Sequence, residues 1–220
     1  MSAGAPQTLR SPLIVLAVAD LAILGQRLWP WQEVLNLPGN GTVGIDPAVT
    51  LIGYIGLIIW INNYSGDETR KALSNGAMLG LLGGFMLVAE VMLSGHPGLD
   101  TGWLQLMLLL AAAILWGVAG LLAARKSGGA GHAALPAIYS GMVSCLMGCM
   151  AALLMVSLNA PTAADAQNAW KQYEGLAIGD VETQALVHSL NTATAFLLVG
   201  PLVGCGLGLI FGFFGQTQKN

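Results

Sequence analysis

The chain has 220 residues and a net charge of −3, with 55% hydrophobic and only 9% charged residues; its mean hydropathy is +0.70. Soluble domains carry roughly 25% charged residues, so this composition excludes an ordinary water-soluble globule and names a lipid bilayer as the solvent. The eight Lys and Arg residues are dispersed among short polar segments, which excludes a nucleic-acid footprint.

A hydrocarbon core of ~30 Å takes ~20 helical residues. Six apolar stretches approach or exceed that length: 13–29, 48–64, 73–94, 103–124, 134–158 and 184–214. The expected fold is an all-α, polytopic membrane helix bundle of about six transmembrane helices, forming one membrane domain over 1–220. The first two stretches are the shortest and suit little tilt or a locally thinned bilayer.

The first stretch does not read as a cleaved secretory signal. Arg10 is its only basic flank, Asp20 interrupts the apolar run, and no clean small-x-small site follows. A retained anchor is expected. An ionisable residue inside a span is costly unless paired or hydrated, which makes it a functional candidate by default. With Leu13 as the inner boundary, Asp20 lies ~10 Å deep and Arg27 ~21 Å deep. Asp20 has no sequence-evident partner, because Arg27 shares its face but sits ~10 Å further along. It is the leading candidate for a proton or cation carrier. The alternative is a carboxyl that is protonated or bound to a neighbouring backbone or hydroxyl group.

Between the first two spans, Pro38-Gly39-Asn40-Gly41 is a strong turn signal. Trp29 and Trp31 suit the headgroup level as interface anchors. Three connections are short, at 65–72, 95–102 and 125–133, so the helices they join are expected to be antiparallel neighbours.

The third span carries Gly76, Gly80 and Gly84 at steps of four. In lipid, such a face lets a second backbone approach closely, and that contact is a main source of helix association. Taking Ser74 as the inner boundary, Glu90 lies ~24 Å deep, level with Arg27, so an ion pair between the first and third spans would satisfy both.

The fourth span offers no ionisable residue. The fifth has Gly141, Cys145 and Cys149 on one face, with Ser144 and Gly148 beside it. Cys145 and Cys149 are one turn apart and poorly placed for a mutual disulfide. With Met142 they form a soft-ligand stripe of the kind that holds Cu(I), but the same residues are ordinary fillers of apolar cores. No metal and no cofactor are expected. The third and fifth spans align small residue to small residue, and each follows an Arg-Lys pair, Arg70-Lys71 and Arg125-Lys126. A parallel internal repeat and chance spacing both explain this.

The segment 161–183 is the only sizeable water-exposed piece. Within it, 163–176 fits a short surface helix capped by Thr162, with Trp170, Tyr173 and Leu176 as its apolar edge. The last span begins with His188, Asn191, Thr192 and Thr194, a possible wet mouth or simply the point where a helix leaves lipid. Further on come Gly200, Gly204, Gly208 and Gly212, again at steps of four. Pro201 interrupts this run. A kink is expected there rather than two spans, provided a neighbour satisfies the carbonyl that proline frees.

Basic residues fix the orientation. Placing both termini in the cytoplasm puts Arg10, Arg70, Lys71, Arg125, Lys126 and Lys219 inside and only Arg27 and Lys171 outside. Glu33, Asp46, Asp100, Asp165, Glu174, Asp180 and Glu182 then lie outside. The chain contains no phosphate-binding glycine loop, nucleophile elbow or HExxH pair.

These features point to a small permease or channel for an ion or small solute, not driven by ATP. Its path would run by Asp20, with Glu90, Arg27, His188 and Asn191 as further candidates. The alternatives are a non-enzymatic assembly subunit of a larger membrane complex and, last, an enzyme acting on a lipid or quinone. Expected partners are the lipid bilayer and either further copies of the chain or other membrane subunits, in a bacterial inner (cytoplasmic) membrane.

Overall fold

The computed structural model describes residues 10–28, 45–64, 66–94, 102–127, 131–158 and 181–216. Within them every residue but Gly66 is helical: α1 (Arg10–Leu28), α2 (Ile45–Tyr64), α3 (Asp67–Ser94), α4 (Gly102–Ser127), α5 (Gly131–Leu158) and α6 (Val181–Gln216). Six helices therefore stand where six apolar runs were read. The expected surface helix at 163–176 lies outside the described residues.

The helices outrun their apolar stretches, most clearly at α3. Hydropathy marks the part of a helix that lipid can cover, whereas backbone hydrogen bonding continues into polar turns. The first turn of α3 contains Glu68, Arg70 and Lys71, and the Arg70 N–H donates to the Gly66 carbonyl at 2.9 Å. The connection read as 65–72 thus shrinks to residues 65 and 66. Four helices are long and apolar enough to cross a membrane, with apolar parts Glu68–Ser94, Gly102–Lys126, His132–Met155 and Ser189–Gly215. The apolar parts of α1 and α2, Leu13–Gln26 and Asp46–Ile61, are shorter.

Helices α3 to α6 pack as a rhombus. α4 and α5 share its short diagonal, and α3 and α6 occupy the opposite corners. α5 is the innermost helix: 78% of its apolar span is buried within the protein, against 39%, 33% and 28% for α3, α4 and α6. Its buried residues include a small or slender set, Ser140, Gly141, Ser144, Cys145, Gly148 and Cys149, beside the larger Met142, Leu146 and Leu153. The basic residues Arg70, Lys71, Arg125 and Lys126 sit at the start of α3 and the end of α4, one end of this rhombus. Arg125 and Lys126 fall in the last turn of α4, where cations suit the helix dipole.

α1 and α2 form a separate pair. α1 lies on α2 and α5, and α2 on α1 and α6. The sequence expectation that α2 and α3 are packed neighbours is therefore corrected. The inner face of α2 (Leu51, Tyr54, Ile58 and Ile61) is engaged in the core shared with α1 and α6, while the small-residue face of α3 is taken by α5.

α6 runs unbroken through Pro201. Proline at 201 has no N–H to offer the carbonyl four residues back, that of Leu197. The Tyr54 hydroxyl of α2 donates to that carbonyl at 2.5 Å. A side chain from the neighbouring pair thus supplies the hydrogen bond that the helix itself lacks.

Candidate functional site

α1 turns one stripe inward: Leu13, Ala17, Asp20 and Leu24, each about one helical turn from the next and at most 5% exposed. Asp20 is therefore on the buried face, because its spacing matches the apolar residues on either side. Both of its carboxyl oxygens are enclosed, and neither has a hydrogen-bond partner. Leaving a buried polar group unsatisfied costs about 1–3 kcal/mol, and more when it is charged. Such a residue persists without a structural reward of its own, which marks it as a functional candidate.

The core cluster that α1 shares with its neighbours is apolar or soft. Across the seam from α1, α5 contributes Met142, Leu146, Cys149 and Leu153 to the common core, and α2 contributes Leu51, Tyr54 and Ile58. The Cys149 thiol lies within electrostatic reach of Asp20, and both Cys145 and Cys149 lie within reach of the Tyr54 hydroxyl. Cys149 and Tyr54 thus belong to one core cluster, with the buried carboxyl within electrostatic reach of the Cys149 thiol. All three cysteines are free thiols, Cys145 and Cys149 buried and Cys205 half-buried. Among the described residues, no group of three or more His, Cys, Asp or Glu side chains is placed to hold a metal.

A second polar point ties the rhombus together. Trp116 Nε1 of α4 donates to Ser144 Oγ of α5 at 2.8 Å. The same hydroxyl lies 2.8 Å from the Gly80 carbonyl oxygen of α3 and 3.0 Å from that of Ser140, and donates its one proton between them. A methyl group at Gly83 would come 2.7 Å from Ser144 Oγ and 3.3 Å from Trp116 Nε1, so only glycine leaves room for this bond. Every hydrogen-bonding group here is used, which gives the junction a structural role. One turn back, Ser140 Oγ is buried with no partner.

The remaining sequence candidates are scattered. Glu90 is half-buried near the far end of α3, with α5 between that helix and α1. The side chains of Arg27 and His188 lie outside the described residues, and with them the Arg27–Glu90 ion pair. Asn191 is exposed, and Thr194 Oγ1 donates back to the Leu190 carbonyl at 2.8 Å, a local helical bond. The structure therefore gathers Asp20, Tyr54 and Cys149 around one seam and does not bring Asn191 into it as a buried group.

The glycines lie where backbones meet. A methyl group at Gly76 would fall 2.5 Å from the Pro136 carbonyl oxygen, and one at Gly80 would fall 2.7 Å from that of Ser140. One at Gly84 would collide with Met147. On the other side of α5, a methyl group at Gly141 would come 2.6 Å from the Gly200 carbonyl oxygen. At Gly204 it would lie 2.7 Å from the Ala137 carbonyl oxygen, and at Gly208 2.7 Å from the Ala137 Cβ. One at Gly200 would strike Cys145. Gly212 is buried as well. These faces are occupied inside a single chain.

Tyr54 escaped the sequence reading, in which it was one aromatic residue in an apolar run. The usable signal was Pro201: counting back four residues names Leu197 as the orphaned carbonyl, and a hydroxyl within a neighbouring span is its natural donor. No protein-family model, curated protein or solved structure matches this chain.

Proposed function

We propose that this multi-pass membrane protein is a small permease or channel that moves an ion or small solute without ATP, along the seam where α1 and α2 meet α5 and α6. The single observation that supports this reading is Asp20. A carboxyl enclosed in apolar surroundings with both oxygens unpaired contributes nothing to packing, whereas it is the group a cation pathway requires. The seam is also where helices meet through side chains rather than through touching backbones, so it is the contact that opens at least cost.

An assembly subunit docking through its glycine faces finds less support, because α5 already fills the faces of α3 and α6. The purified chain in proteoliposomes tests the transport reading. Flux of protons, alkali cations or small organic cations should appear with the wild type and vanish with Asp20→Asn, while gel filtration and circular dichroism stay unchanged. Equal flux from the two proteins for every cation would remove Asp20 from the path.

A further inference from the structure

We propose that the species held by Asp20 is a proton, and not a metal ion or an organic cation; this deepens the transport reading and rests on it. The inference comes from what surrounds the carboxyl. A hard cation such as Ca²⁺ takes 6–8 oxygen ligands, and Mg²⁺ demands a full octahedron. Asp20 supplies two oxygens. Along α1, the stretch from Leu13 to Gln26 has no other side-chain oxygen before Gln26, and that residue is exposed near the helix end.

The helices packed against α1 add little. α2 presents Leu51, Tyr54 and Ile58 to the core, and among its described residues the inward hydroxyl is that of Tyr54, which donates to Leu197. α5 presents Met142, Leu146, Cys149 and Leu153. Backbone carbonyls within a helix are bonded along it. The Leu197 carbonyl, freed by Pro201, is already taken by Tyr54. A soft metal fares no better, since no group of three His, Cys, Asp or Glu side chains is assembled among the described residues. An organic cation needs volume beside the carboxyl, yet Asp20 is wholly enclosed by packed side chains. A proton needs one oxygen lone pair and no room.

The titratable groups facing Asp20 are few. Among the described residues, the Cys149 thiol of α5 lies within electrostatic reach of Asp20, and the phenols of Tyr139 from α5 and Tyr54 from α2 belong to the same core. α1 itself has none between Leu13 and Gln26 except Asp20. None of these is a fixed charge, so the neutral acid can form without separating an ion pair. The step balances simply. Hydronium on one side of the membrane gives a proton to a carboxylate oxygen, one O–H bond forms as one breaks, and the acid later releases the proton to water on the other side.

Proteoliposomes with an internal pH indicator, an imposed potassium diffusion potential, and sodium or choline as the bulk cation test this. Acidification of the lumen should be the same in sodium and in choline, lost in Asp20→Asn, and retained at an altered rate in Asp20→Glu. If Asp20→Asn fails to fold, the wild type still decides. An apolar carbodiimide, to whose carbon a protonated carboxyl adds as its proton passes to nitrogen, should label Asp20 and stop proton flux, with sodium giving no protection. Asp20-dependent flux of sodium or an organic cation without a pH change, or sodium protection of Asp20, would overturn the proton assignment and leave the transport reading standing. Folded Asp20→Asn that conducts every cation as the wild type does would remove both.

Discussion

A methyl group placed on Gly76 of α3 would lie 2.5 Å from a carbonyl oxygen of α5, whereas one placed on Gly25, Gly53 or Gly56 of the α1–α2 pair would meet nothing within 4 Å. The two parts of the molecule are thus held by different means. In the α3–α6 rhombus, backbones come together at Gly76, Gly80, Gly120, Gly141 and Gly204, where glycine removes the side chain between them. This suits lipid, where apolar side chains gain nothing by leaving water and dense packing must supply the attraction. The α1–α2 pair instead lays larger side chains on α5 and α6, and the buried hydrogen bond from Tyr54 to Leu197 crosses that boundary. The unpaired carboxyl of Asp20 lies at this second contact. Among the described residues, Asp20 is the acid that is fully enclosed, and it belongs to the side-chain-packed pair rather than to the glycine-packed frame.

The largest expected effect breaks the frame. Gly76→Ala forces its methyl group against backbone that cannot turn aside, so it should destabilise by about 3 kcal/mol, the upper end for overpacking. Equilibrium unfolding of the purified protein in mixed detergent would measure this, and a loss under ~0.5 kcal/mol would show that the α3–α5 contact is less tight than its geometry.

Asp20→Val should act in the opposite direction. Removing an enclosed, unpaired carboxyl is expected to stabilise by about 2 kcal/mol in the same assay while abolishing flux. A gain in stability together with a loss of activity separates a functional residue from a structural one; destabilisation would mean that Asp20 is bonded after all.

Tyr54→Phe should cost about 1 kcal/mol by orphaning the Leu197 carbonyl. Pro201→Ala restores the helical donor to that carbonyl, so the cost of Tyr54→Phe should shrink in the double variant. Full additivity of the two changes would disprove the link.

The smallest effect belongs to the pair. Gly53→Ala meets open space and gains helix propensity, so stability should stay level or rise by up to about 1 kcal/mol. Set against Gly76→Ala, this one substitution type then reads the two regions with opposite signs.

Much of the fold was legible without coordinates. A run of apolar residues long enough to cross lipid must be helical, because the bilayer offers no other partner for the backbone. The six runs accordingly reappear as six helices. The polar turn at the start of α3 was not legible, since hydropathy is blind to a helix outside lipid. Of the candidate site, the place of Asp20 in an apolar run was legible, but its enclosure and its missing partner were not. Whether a carboxyl is satisfied depends on helices distant in sequence, and here they present thiols and hydrocarbon.

The chain alone therefore determined the solvent, the helical class, the number of apolar runs and the faces along which glycines repeat, all properties of local pattern and of the free energy of burying a backbone in lipid. Only the tertiary structure decided that those faces close on α5 within the same molecule, that α2 leaves α3 for α1 and α6, and that Tyr54 completes the bond Pro201 removes. These are choices among partners, and they are made by which surfaces fit in three dimensions, something no spacing along the chain encodes.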